Sequence, residues 1–144
     1  TVTIKDEFVT FNPPEKCSSY GINDIEGIKY ITKLRVEFSD LRSHRHHHSF
    51  NCANPVCICL LEDETNAHFL LRCPLFVQHR TTFLVSISSL LDSDVSILPH
   101  EHLNSVLLFG SKAFNFVTNH LILKDTITYV RNTKRFDDLE AFDT

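Results

Sequence analysis

From Asp24 onward, Ile28, Ile31, Leu34, Phe38 and Leu41 recur at spacings of three and four, the period of a helix with one buried face. Asp24 is placed to cap that helix and Glu26 to favour its first turn. Lys29, Lys33 and Arg42 lie off the apolar stripe. Residues 75–91 predict a second long helix, with Phe76, Phe83, Leu84, Ile87 and Leu91 inward and Pro74 at its start. Ser93 to Pro99 breaks the pattern. Glu101 to Phe109 predicts another helix, closed by Gly110. Ser111 is then expected to cap a last helix carrying Phe114, Val117, Leu121, Ile127 and Val130 inward. Residues 1–23 have no helical period, are broken by Pro13, Pro14 and Gly21, and predict an extended lead-in whose Phe8 and Phe11 dock elsewhere.

Between the helices stand Cys57, Cys59, His68 and Cys73, in the spacing C-x-C-x8-H-x4-C. Three soft thiolates and one imidazole suit a tetrahedral Zn2+, and four protein ligands leave no open position for water. Such a site holds structure and does not hydrolyse. Thr65 to Arg72 predicts a short helix capped by Thr65. Five residues of ideal helix turn about 500°, so His68 and Cys73 do not share a face if it runs through both. Pro74 pushes Cys73 out of helical geometry and lets the chain curl back over the helix end. The plainer alternative is that these cysteines are buried small hydrophobes and His68 a hydrogen-bonded helix residue. Val56 to Leu61 predicts a short β-like segment, and Glu62-Asp63-Glu64 an acidic turn. The expected fold is thus mainly α: a small helical domain with one short β-like zinc-knuckle segment. The expected order is a lead-in over 1–23, a basic amphipathic helix and His-rich loop over 24–50, the knuckle over 51–76, helices over 77–137 and an acidic tail over 138–144.

Composition narrows this picture. The chain has 144 residues, 42% of them hydrophobic, enough to bury one domain's core. No run of eighteen apolar residues suggests a membrane span, and the first residues lack a signal peptide's apolar stretch. Five cysteines, three at metal-type spacing, fit an intracellular protein of the cytoplasm or nucleus better than a secreted disulfide scaffold. Cys17 and Cys52 are left over, with Cys52 a possible substitute ligand. No methionine occurs, even at position 1, so the chain is expected to be part of something longer. A net charge of −4 argues against a generic nucleic-acid binder. Lys29, Lys33, Arg35, Arg42 and Arg45 nevertheless gather into a local basic strip, followed by His44, His46, His47 and His48. That histidine group offers a transition-metal site, a pH switch or simply a polar loop beside the arginines.

Several segments together resemble the C-terminal region of non-LTR retrotransposon reverse transcriptases. The C-x-C-x8-H-x4-C spacing is similar to the cysteine-histidine motif of that family. Gly27 to Arg35, GIKYITKLR, resembles "GIKFITRLR" of animal-element polyproteins, and His68 to Phe76, HFLLRCPLF, resembles "HFLLHCPLF". Leu41 to Arg45 and His48 to Phe50 are similar to parts of "LREHKFKHSF", and Leu107 to Gly110 and Thr133 to Asp137 match the tail. The likeness spans roughly residues 27–137. It departs at residues 37–40, at His46 and His47, and at Leu60, where the family often has a glycine after its second cysteine. The resemblance implies a zinc module that holds RNA or DNA near a polymerase whose catalytic aspartates lie upstream, outside this stretch.

The first expectation is therefore a non-catalytic nucleic-acid-binding module. Lys29, Lys33, Arg42 and Arg45 would contact phosphates, and Tyr30 or Phe50 would stack a base. The alternative is a docking module, packed on the remainder of the parent polymerase or on another protein partner, or a fragment of a decayed element copy. A hydrolase is a poor fit, since neither G-x-S-x-G nor H-E-x-x-H occurs.

Overall fold

A computed structural model describes residues 12–14, 17, 19, 21–48 and 52–137. Helix α1, Ile25–Arg35, begins where Asp24 accepts a hydrogen bond from the Gly27 amide at 2.9 Å, as its sequence predicts. It buries Ile31 and Leu34 completely. Gly27 lies where α1 crosses the last helix. A Cβ there would come within 2.7 Å of the Ile127 Cγ2 methyl and 2.6 Å of the Asp24 carboxylate. Only glycine fits so close a crossing.

The helical period through Phe38 and Leu41 is misleading, because α1 stops six residues short of Leu41. Phe38 N bonds back to Lys33 O at 2.9 Å and Glu37 N to Leu34 O at 3.2 Å, with Glu37 in the left-handed region at φ 55°. This is a Schellman closure, which usually uses glycine. Phe38 is left half exposed, while Leu41 reaches the core from the following loop.

The expected histidine loop is a one-and-a-half-turn helix, α2, Arg42–His47. Its start is held by two side chains. Glu64 Oε1 accepts from the Arg42 amide at 2.7 Å, and His44 Nδ1 accepts from the Ser39 amide at 3.1 Å. A π-helical turn, His68–Arg72, and a 3-10 turn, Pro74–Phe76, then lead into α3, Val77–Leu91. The break before the next helix holds a 3-10 turn at Val95–Ile97 that buries Val95. Helices α4, His100–Phe109, and α5, Phe116–Thr133, complete the fold. Helix α5 is the central element and packs against α3, α4 and α1. Tyr129 on α5 stacks on Phe83 of α3 with ring centroids 4.8 Å apart, and Phe69 closes the same cluster.

Three further expectations are corrected. No strand forms over Val56 to Leu61: the pairing there is a single bridge, Val56 to Asp63, because the chain turns again at once. Ser111 does not cap α5. Asn115 does, accepting from the Thr118 amide at 2.8 Å, while Ser111 is buried and bonded through its backbone to the Asn119 side chain. Val117 and Leu121 face outward, and the buried arc of α5 runs through Asn119, Ile122, Leu123, Thr126, Ile127 and Val130. Polar residues hold three inward positions, Asn119, Thr126 and Thr133, because each satisfies a backbone group; Thr126 Oγ1 reaches Leu107 O at 3.0 Å. Phe8, Phe11, Phe50 and the tail over 138–144 lie outside the described residues. No helix among the described residues is long and apolar enough to cross a membrane.

Candidate metal centre

The knuckle is a tight turn built from backbone hydrogen bonds. Pro55 O accepts from Glu64 N at 2.9 Å, Glu62 O from Cys57 N at 2.9 Å, and Cys57 O from Leu60 N at 2.8 Å. Leu60 is left-handed at φ 67° and 81% exposed. Cys57 and Cys59 thus leave one turn, while His68 and Cys73 come from the π turn opposite.

That π turn answers the phase problem posed by the H-x4-C spacing. Cys73 N bonds to His68 O at 2.7 Å, the i to i+5 closure that sets the first and sixth residues one above the other. Thr65 Oγ1 caps the start, accepting from His68 N at 3.1 Å. Pro74 has no N–H to give, so carbonyls before it need other donors. Tyr129 Oη donates to Phe69 O at 2.6 Å, and buried Arg80 donates to Leu70 O and Cys73 O. Pro74 was the sequence signal that such donors were required. Nothing local said they would come from α3 and α5.

The ligand atoms of Cys57, Cys59, His68 and Cys73 all lie within 4.8 Å of one another. Cys57 Sγ is 3.8 Å from Cys73 Sγ, and Cys59 Sγ is 3.4 Å from His68 Nε2. With metal–sulfur bonds of about 2.3 Å and a metal–nitrogen bond near 2.0 Å, a tetrahedron has S–S edges of about 3.8 Å and S–N edges of about 3.5 Å. These two separations match tetrahedral edges, and the four side chains could together hold one metal ion. Cys57, His68 and Cys73 are buried, and Cys59 half-buried. Cys52 is not a fifth candidate, because its thiol donates to Asn54 O at 3.1 Å.

The thiols also show the strain of proximity. The hydrogen bond between Cys57 and Cys73, then burial, pushes the Cys57 thiol up; the same bond lowers Cys73. Burial pushes Cys59 up. Crowded thiols resist ionising together unless a cation sits among them, and a bound metal reverses that preference.

The residues expected to contact nucleic acid are scattered in role. Lys29 and Lys33 are exposed on α1. Arg45 is half-buried. Arg42 is buried and donates through Nε to Val56 O at 2.7 Å and through Nη2 to Asn54 O at 3.0 Å. It braces the knuckle and presents no guanidinium face to a phosphate. Tyr30 stacks on Phe136 at 5.7 Å, and its hydroxyl donates to Glu26, which pushes the phenol up to about 12. One ring contact and the hydroxyl of Tyr30 are thus already engaged within the fold.

Two glutamates of the acidic turn were missed as working residues. Glu62 takes a bidentate bond from Arg72, and those bonds hold its carboxyl below the usual range. Glu64, 1% exposed, accepts from Arg135 Nε and Nη2 at 2.7 Å each. A basic residue 71 positions away is invisible to any local pattern. No protein-family model, characterised protein or solved structure matches this chain.

Proposed function

We propose that Cys57, Cys59, His68 and Cys73 hold a structural Zn2+, and that the chain is a non-catalytic module that holds RNA or DNA. The reading rests on one observation: three sulfurs and a ring nitrogen lie within 4.8 Å of one another, with the Cys57–Cys73 and Cys59–His68 pairs at tetrahedral edge lengths. Three thiolates with one imidazole favour zinc over harder ions. A complete protein ligand set leaves no place for a reactive water. The nucleic-acid role leans on the resemblance to the C-terminal region of non-LTR retrotransposon reverse transcriptases, and on Lys29 and Lys33 standing exposed on one helix.

With Arg42 committed to the knuckle, the phosphate contacts reduce to Lys29, Lys33 and Arg45. Four contacts imply a slope of log K against log salt near −3 for single strands; three imply about −2, at roughly −0.7 per phosphate. Titrating the zinc-loaded chain with single-stranded RNA across salt concentrations measures it. A flat response removes the nucleic-acid reading. A second reading, docking on the rest of a polymerase or on another protein, is favoured by a different observation. Leu60, Leu61, Leu75 and Val77 expose much of their surface on and just beyond the metal-binding turns. Self-association without RNA binding selects that reading.

A further inference from the structure

We propose that Glu62 is the positioning residue of the metal centre. Its carboxylate accepts the Nδ1–H of His68 and so presents Nε2 to the ion, while Arg72 clamps the carboxylate in place. This rests on reading the Cys3His set as a metal site.

His68 is the one ligand that has two chemically distinct ways to bind. Its side chain is 1% exposed. Nε2 faces Cys59 Sγ at 3.4 Å, on the ligand side, and Nδ1 points the other way. A neutral imidazole that ligates through Nε2 carries its proton on Nδ1. That proton is buried, and Nδ1 has no hydrogen-bond partner within ordinary reach. A buried donor left without an acceptor loses its hydration with no compensating bond. Glu62 Oε2 stands 3.5 Å from Nδ1, so a movement of less than about 1 Å completes the bond.

The carboxylate is held for this task. Arg72 Nε lies 3.0 Å from both Glu62 oxygens and Nη2 lies 2.8 Å from Oε1. The Glu62 carbonyl accepts from Cys57 N, which ties the same residue to the first ligand's backbone. Arg72 Nη1 also donates to His100 Nδ1 at 3.0 Å, reaching the first residue of α4. Carboxylate-to-imidazole bonds of this kind fix the tautomer and raise ligand basicity, and losing one typically weakens metal binding about 10–100-fold.

Zn2+ affinity of the full chain, measured against a chromophoric chelator at fixed pH, tests the proposal alongside the 15N signals of the His68 ring. Glu62→Ala is expected to bind zinc about 10–100-fold more weakly and to lose the hydrogen-bonded Nδ1–H signal. Glu62→Gln, whose amide oxygen still accepts, is expected to recover most of both. Arg72→Met, which loosens only the clamp, is expected to shift that signal with a smaller loss of affinity. This third variant decides the matter if Glu62→Ala disturbs the fold. The proposal is overturned if Glu62→Ala binds like the wild type, if His68 ligates through Nδ1, or if Arg72→Met leaves the ring signals unmoved. Cys73→Ser separates the two layers. If it binds as well as the wild type, or if the wild type does not bind zinc, the metal reading fails and takes the Glu62 proposal with it. If Cys73→Ser fails to bind while Glu62→Ala is unaffected, only the role of Glu62 falls.

Discussion

Leu60 sits in left-handed backbone with its side chain in solvent, where a glycine would adopt the same φ without steric cost. The chain contains only three glycines, and among its described residues Glu37, Leu60, Asp92 and Lys134 take left-handed positions instead. Left-handed backbone costs an L-residue roughly 1–2 kcal/mol, partly offset in a glycine by its greater unfolded-state entropy. Leu60→Gly is therefore expected to raise stability by about 1 kcal/mol. Urea unfolding of the zinc-loaded protein measures this; a loss of stability would mean that Leu60 contributes packing its exposure conceals. His44 offers a second test. Burial lowers its pKa below 6.5, opposed by Glu37 and Glu64 and assisted by His47 and His48. Its Nδ1 accepts from the Ser39 amide, so the neutral ring is the form the fold needs. The unfolded chain binds this proton more readily, so the contribution is complete above pH 6.5 and is lost as pH falls through the folded value. An NMR titration of His44 is expected to show a midpoint below 6.5, and a midpoint at or above it contradicts the burial argument.

At the scale of elements, the proposed zinc would make the knuckle and the π turn stand or fall together. Structural zinc contributes roughly 10–16 kcal/mol in small peptides, as much as a whole domain's stability of about 5–15. Chelation is expected to unravel residues 52–76, read as rapid amide exchange there, while α4 and α5 keep slow exchange at their contact. Cys73→Ser should reproduce the chelated pattern, and Cys52→Ser should not, because its thiol bonds to Asn54 O away from the ligand set. Equal behaviour of the two variants would mean that the ligand assignment is wrong. The elements also show where periodicity is a fair guide. The starts of α1 and of the His68 turn were legible, since Asp24 and Thr65 cap by purely local geometry. The end of α1 was not, because Glu37 takes a role that sequence patterns reserve for glycine.

Across the whole molecule, one buried ion pair joins the knuckle to the far end of the chain. Glu64 and Arg135 are each almost fully buried. Arg135 Nη2 also donates to Asp40 O at 3.0 Å, and Glu64 holds the start of α2. Three separate stretches therefore meet at one carboxylate. Removing one partner of such a pair leaves an uncompensated charge and costs about 3–5 kcal/mol. Arg135→Met is expected to lower stability by that amount, with Glu64→Gln added on top restoring part of it. Urea unfolding of the single and double variants measures the coupling. Additive losses would show that the pair contributes nothing beyond its separate contacts.

The sequence by itself determined the mainly helical character, most of the helix starts and the four residues of the candidate metal cluster. All of these depend on neighbours within a few positions, where helical period, capping and ligand spacing act. Only the tertiary structure decided that Arg42 turns inward to brace the knuckle, that Tyr30 is spent on Glu26 and Phe136, and that Arg80 and Tyr129 satisfy the carbonyls freed by the π turn. It alone joined Glu64 to Arg135. A buried charge or an orphaned carbonyl must find a partner wherever the fold supplies one, and that partner's distance along the chain carries no signal in the local pattern.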